Sequence, residues 1–350
     1  MRRKETASIV SGSLRQALHC IGEVAPSILR RALFMAALAA ASGGARNLGA
    51  LPQRVNPLAG RRLYVDPSSN VRREADAMRR TRPDDANLLM RIANQPVARW
   101  LGGWVGDIGR EVDNAVSVIT GAGALPVFVA YNIPGRDCGQ YSAGGANGSD
   151  AYRKWIRSFA SALKGRPSVV ILEPDALPGL DCLNDAGKAE RIALMRDAVH
   201  VLKDQHAFVY VDAGHALWKS PQIMADRLKQ VDIAFADGFS LNVSNYIDNA
   251  ANIAFGEALS RRLGGTHFII DTSRNGVGNT SEWCNPRGQA LGTAPTTDTG
   301  NPLIDAFLWI KQPGESDGTC KGGPSAGKWW GEIALELSRA ASTLARSIAK

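Results

Sequence analysis

The 350-residue sequence has no run of about 20 apolar residues, so no segment reads as a helix crossing a bilayer. It has no C-x-x-C pair, which removes the usual spacing of a structural zinc site. The histidines stand apart: His19, His200, His206 and His267 read as surface or strand residues. Asp212-x-x-His215 is half a metal site without a second His or Cys to complete it, so we expect neither metal nor cofactor. No Ser/Thr/Pro-rich linker divides the chain. Charged residues make up only 21% against 45% hydrophobic, a globular composition that excludes disorder and collagen-like repeats. Glycine is plentiful, at 36 residues, which points to many tight loops. The length fits two domains, or one α/β barrel of about 250 residues with extensions.

The net charge of +8 is local: Met1 to Arg62 holds ten Lys/Arg against two Asp/Glu, and Leu63 to Lys350 holds 31 of each sign. A neutral folded part gives no basic surface for nucleic acid. The basic segment reads as a leader. Arg30-Arg31 precedes an apolar run, Ala32 to Ala41, with small residues through Ala45. That is the order of a charged region, a short apolar region and a cleavage site. A short helix of a soluble protein is the competing reading, but the run is too Ala-rich and short to need a core. Cleavage is expected near Ala41 or Ala45, with a start codon downstream of Met1, near Val24, and a weak twin-arginine signal in the Arg pair. We expect a leader over 1–45, an extension over 46–62 and one catalytic domain over 63–350, secreted outside the cell or into its envelope. Beyond Cys20 the chain keeps Cys138, Cys182, Cys284 and Cys320. An even count in an exported chain predicts two disulfides, with three pairings open.

Apolar runs rich in β-branched residues recur at 63–65, 126–131, 169–172, 208–211, 233–239, 267–270 and 307–310. Most are continuous rather than alternating, as in parallel strands buried on both faces. Helical patterns lie at 150–163, 189–203, 221–230 and 249–263, and a long amphipathic one closes the chain at 326–349. Alternating strands and helices predict an α/β fold, and about seven repeats suit a parallel β/α barrel. The residues after the strands carry the chemistry. They include Asp66, Asp137, Glu173 and Asp175, Asp212, Asn242, Asp271, and Glu315 with Asp317. One carboxylate at a strand end is usually a helix cap. One after almost every strand predicts an acidic rim where barrel active sites sit. Tyr131, Trp218 and Trp283 fall in the same loops. They read as ring platforms for sugar faces or as anchors under the loops. Acid cleft, Trp and export together suggest polysaccharide hydrolysis by two carboxylates.

The segments YVDP (64–67), VAYNIPGRDCG (129–139), ILEPDAL (171–177), YVDAGH (210–215), FSLNVSNY (239–246), EWCNP (282–286) and WIKQPGESDG (309–318) closely resemble glycoside hydrolase family 6 cellulases, in the family's order. The resemblance implies a distorted seven-stranded β/α barrel and inverting hydrolysis of β-1,4-glucan. It implies Asp175 as general acid and Asp137 as the carboxylate supporting it. For the base it leaves two accounts: Asp317, or a water relay towards Asp137, with Ser142 holding the water. Tyr131, Arg136, Asp212, His215, Trp218, Asn242, Trp283, Lys311 and Glu315 match substrate-contacting or supporting positions. The disulfides it implies are Cys138–Cys182 and Cys284–Cys320. One departure is the stretch 68–74, which has no Trp after Asp66-Pro67 where many members carry one; a glucose subsite there would be weaker.

Three functions follow: a secreted endo-β-1,4-glucanase, an exo-acting cellobiohydrolase of the same family, or a glucan-binding protein without catalysis. Intact Asp137, Asp175 and Asp317 argue against the third. Short loops at 273–283 and 315–327 predict an open groove and internal cutting of the glucan; a monomer is expected. Gly323-Pro324-Ser325-Ala326-Gly327 matches G-x-S-x-G formally, but no strand precedes it, so Ser325 is expected as the N-cap of the last helix.

Overall fold

The computed structural model describes residues 54–278, 280 and 282–348. The expected leader lies outside them. Among the described residues no helix is long and apolar enough to cross a membrane. Two helices, α1 (Asn70–Met78) and α2 (Pro83–Ala93), precede strand β1 (Arg99–Leu101). Strands and helices then alternate: α3 (Ile108–Gly121), β2 (Val127–Ala130), α4 (Ser149–Leu163), β3 (Val169–Leu172), α5 (Asp185–Lys203) and β4 (Phe208–Asp212). After them come α6 (Pro221–Gln230), β5 (Gly238–Leu241), α7 (Asn249–Arg262), β6 (His267–Asp271), β7 (Ile304–Leu308) and α8 (Gly331–Ile348). The seven strands stand in chain order, each parallel to the next.

Continuous apolar strands arise because both faces are buried. In β3, Val169 and Ile171 point into the barrel with Val129, Tyr210 and Ile269. Val170 and Leu172 point outward against the helix layer, among Ile156, Phe159, Leu194 and Met195. Segment 55–62 packs with the barrel: Leu58 is fully buried in the inner cluster, and Asn56 donates to the Asp305 carbonyl at 2.8 Å. The helices start where polar side chains accept first-turn N–H groups, Asp107 from Arg110, Asn184 from Gly187 and Asp248 from Ala251, as capping requires.

The barrel is distorted between its first and last strands. They meet at one bridge beyond the ladder, Val97 with Trp309, where Ala98 N donates to Trp309 O at 3.0 Å. Trp100 Nε1 donates to Ile310 O at 2.8 Å just above it. The pair α1 and α2 packs with α8 and Trp309 outside this seam.

Three sequence expectations fail locally. The run 63–65 is not a strand: Leu63 makes a single bridge to Leu125, and Asp66 turns the chain by accepting from Ser68 N at 2.8 Å. The first strand is β1, three residues long, hidden between Pro96 and Gly102-Gly103. The run 233–239 begins as a 3-10 turn at Ile233–Phe235, and pairing starts at Gly238. Ser325 does not cap the last helix: α8 starts at Gly331, after a turn with Gly327 at φ +75°.

Helix α7 is seated by a glycine. A Cβ at Gly256 would stand 2.4 Å from the Phe268 ring, which stacks on Phe239 at 5.2 Å. Gly to Ala in an exposed helix gains about 1 kcal/mol. Gly256→Ala should instead lose about 1–3 kcal/mol through overpacking. A thermal melt showing an unchanged or higher Tm would defeat this account of the seat.

Candidate active site

All seven strands feed one groove of about 970 Å³ at their C-terminal ends. Its floor is built by carboxylates that do not face it. Glu173, fully buried after β3, accepts from Asn132 N at 2.8 Å and Ile133 N at 2.9 Å across from β2. Asp212, at the end of β4, accepts from Asp175 N at 2.9 Å and Gly214 N at 3.1 Å. Asp271, at the end of β6, accepts from Ser244 N at 3.0 Å, Ser273 N at 2.9 Å and Lys311 N at 2.9 Å. Three of the eight rim carboxylates expected from sequence are therefore staples. The backbone N–H groups freed where short strands stop pairing must find acceptors, and these carboxylates supply them.

The carboxyls that do line the groove are Asp137, Asp175, Glu315 and Asp317. Burial, then the charges of Asp212 and Asp137, hold Asp175 well above the usual carboxylate range. Burial also raises Asp137, against the opposing pull of Ser142 N at 2.6 Å and of Arg136. Asp317 is held by several donors. Its Oδ2 accepts from Tyr246 Oη at 2.9 Å, Asn285 N at 3.0 Å and Arg274 Nη1 at 3.0 Å, and its Oδ1 lies 2.9 Å from the same Arg274 nitrogen. Arg274 is itself buried, with its guanidinium 4.3 Å from the Tyr246 ring centre. Burial raises Glu315, with Lys311 Nζ at 3.8 Å pulling the other way.

Arg136 braces the loop after β2. Its Nε donates to Ser142 O at 2.8 Å and its Nη1 to Tyr131 O at 2.9 Å. Ser142 thus engages both neighbours through its backbone. Tyr131 packs edge-on to Trp100 at 5.2 Å, and burial with the charges of Asp175 and Asp137 raises its phenol. His215 is neutral, pushed down to about 4 by burial, and its Nδ1 accepts from Leu217 N at 3.2 Å. The Trp218 ring leans on it at 5.7 Å. Trp283 meets Tyr141 at 5.7 Å, and Tyr141 lies over Gly318 beside Asp317. The loop after β2 therefore touches the loops after β6 and β7.

Of the residues singled out in sequence, Asp212 and Asn242 do not reach the groove. Asp212 is spent on backbone N–H groups, and Asn242 is fully buried, donating to Asp271 O at 2.9 Å and accepting from Ile247 N at 3.1 Å. Both support the floor. The disulfides are Cys138–Cys182 and Cys284–Cys320. Sequence reasoning missed Trp100, Trp104, Tyr141, Tyr246 and Arg274. Arg274 could have been found as the lone cation directly after the β6 acidic end.

The fold and this rim define a β/α-barrel glycoside hydrolase. The chain belongs to the glycosyl hydrolases family 6, whose family model matches residues 58–341. It is 47% identical to Endoglucanase A of Cellulomonas fimi over 79% of this chain and 61% of that protein. It is 43% identical to Endoglucanase 1 of Streptomyces halstedii over 79% of this chain and 88% of that one. The chain thus spans less than two thirds of the Cellulomonas protein's length. Its fold resembles the endoglucanase Cel6 of Mycobacterium tuberculosis, solved with a methyl-cellobiosyl-4-deoxy-4-thio-β-D-cellobioside, at TM-score 0.78 and 44% identity, covering 82% of this chain and 99% of that one.

Glu173 ties the site to pH. Burial pushes its carboxyl up from an ordinary 4.5 to about 7. The folded state then binds the proton more tightly than the unfolded one, so stability from this group is full at low pH and is lost as pH rises from 4.5 through about 7. Glu173→Gln keeps an acceptor but cannot ionise. Urea unfolding at acidic and mildly alkaline pH should show a smaller fall for the variant than for the wild type. The difference should be on the order of a few kcal/mol. Parallel falls would show that Glu173 does not titrate in this window.

Proposed function

We propose that the protein is a secreted endo-β-1,4-glucanase that inverts the anomeric carbon. One observation carries the hydrolytic reading: a carboxyl raised by burial and two acidic neighbours, Asp175, stands in a groove walled by Trp and Tyr rings. A carboxyl protonated near neutral pH is what a glycosidic oxygen needs as its acid. In this reading Asp175 donates its proton to the leaving oxygen, and water attacks the opposite face of the sugar directly. Asp137 keeps the acid protonated and receives the water's proton through a relay. Asp317 is less free for that role, because Arg274, Tyr246 and Asn285 occupy its lone pairs. Its charge, paired with Arg274, shapes the field around the reacting sugar. Tyr131, Arg136, Ser142, His215, Lys311 and Glu315 hold the glucan or its loops, and Trp218 and Trp283 stack on sugar faces. The endoglucanase names of the bacterial relatives support internal cutting. The contact of Tyr141 with Trp283 across the rim favours the exo reading instead.

Carboxymethyl cellulose separates the two: internal cutting should drop viscosity well before reducing ends accumulate. Cellobiose as the sole early product would reject the endo reading. Early NMR spectra should show the α-anomer; a β-anomeric first product means a covalent intermediate and ends the inverting reading.

Asp175→Ala should lower kcat by about 10²–10⁴-fold on natural glucan and spare substrates with an activated aryl leaving group, which need little protonation. Asp137→Asn should lower activity on both and move the alkaline limb to lower pH. The sign follows from linkage: the acid works only while protonated, and removing the Asp137 charge lowers its pKa. An alkaline limb that stays in place would show that Asp137 does not tune Asp175. Equal losses for both leaving groups in Asp175→Ala would remove it as the acid.

A further inference from the structure

Trp104 is the most exposed of the groove's large rings, at 56% of its surface, and it has no role in the mechanism above. Around the rim, Trp104 follows β1, Asp137 follows β2, Asp175 follows β3 and Trp218 follows β4. Trp104 and Trp218 therefore flank the two carboxyls from opposite sides.

The ring is held. The Arg136 guanidinium lies between two aromatic rings, 5.0 Å from that of Trp104 and 4.9 Å from that of Tyr131. The same guanidinium is fixed by its bonds to Ser142 O and Tyr131 O. Gly102 lets the ring fold back over the chain: a Cβ there would stand 2.4 Å from the Trp104 ring and 2.5 Å from Tyr131 O. A structural anchor looks otherwise. Trp100, four residues earlier, is largely covered and donates its Nε1 to Ile310 O. Trp104 is a ring fixed by a cation yet open to the groove. Such a surface is completed by a flat C–H face, and the axial C–H groups of a β-linked glucosyl unit present one.

We infer that Trp104 is a glucosyl-stacking platform at the far side of the carboxyls from Trp218, extending the groove for longer chains. This rests on the glucanase reading. It makes Trp104 a determinant of chain-length preference rather than of chemistry.

The test is the wild type against Trp104→Ala and Trp104→Phe on cellotriose, cellotetraose, cellopentaose and cellohexaose. For Trp104→Ala, KM should rise about twofold to tenfold for the longest chains, with kcat nearly unchanged and the shortest cleaved substrate unaffected. Trp104→Phe keeps a smaller ring and should show a smaller rise in the same length-dependent order. A ring that acts only by bracing Arg136 and Asp137 would lower kcat equally at every length, and that result overturns the inference. Unchanged KM at every length also overturns it. A wild type that cleaves none of these chains defeats the glucanase reading, and the inference falls with it. A wild type that cleaves them, with variants blind to length, defeats the inference alone.

Discussion

The site depends on buried carboxylates that accept backbone N–H groups where the strands end. The strands are short, three to five residues. Each stops pairing just below the rim and leaves donors that water cannot reach. An orphaned buried N–H costs about as much as a lost hydrogen bond. Glu173, Asp212 and Asp271 each take two or more such donors, and each links its own strand to a neighbour or to its own following turn. The staple carries charge into a medium that resists it, which is why burial raises all three carboxyls. Structure and acidity are thus two readings of one arrangement.

Asp212 shows the consequence. Its carboxylate fixes Asp175 by the main chain and raises its pKa through space. Position and protonation of the acid cannot be changed separately at this residue. The backbone carries the corresponding strain. Glu173 and Asp175 hold φ of +48° and +68°, and Asp137 holds +56°. Non-glycine residues persist in that region only where surroundings over-determine them. Here the staples, and Pro174 between two of these residues, do so.

Much of this was legible in the chain, and for a physical reason. Strands buried on both faces cannot alternate, so Val169–Leu172 and His267–Asp271 announced themselves. Strand β1 did not, because three residues of Arg, Trp and Leu carry no periodicity and the flanking Pro and Gly read as loop. A carboxylate after nearly every strand marked the rim. Its division into staples and groove walls was not readable, since Asp212 and Asp175 look alike until their hydrogen-bond partners and access to the groove separate them. Tyr246 was invisible for a similar reason: its meaning lies in Asp317, some seventy residues away.

The covalent links complete the same logic where hydrogen bonds give out. Cys138–Cys182 ties the loop after β2, which carries Asp137, to the segment after β3, which carries Asp175. Cys284–Cys320 ties the loop after β6, with Trp283, to the loop after β7, with Asp317. Both bonds join loops of neighbouring strands, above the level where a ladder can hold them. Each closes a loop of some forty residues, worth about 4 kcal/mol in the chain-entropy model. The rim is thereby divided into two braced halves, one carrying the acid and its partner, the other carrying Asp317 and a ring wall. The seam between them is the Val97 to Trp309 bridge with the Trp100 to Ile310 hydrogen bond below, and the Tyr141 to Trp283 contact above. A groove placed at the weakest junction of the barrel can accept a chain without disturbing either half, because neither brace crosses it.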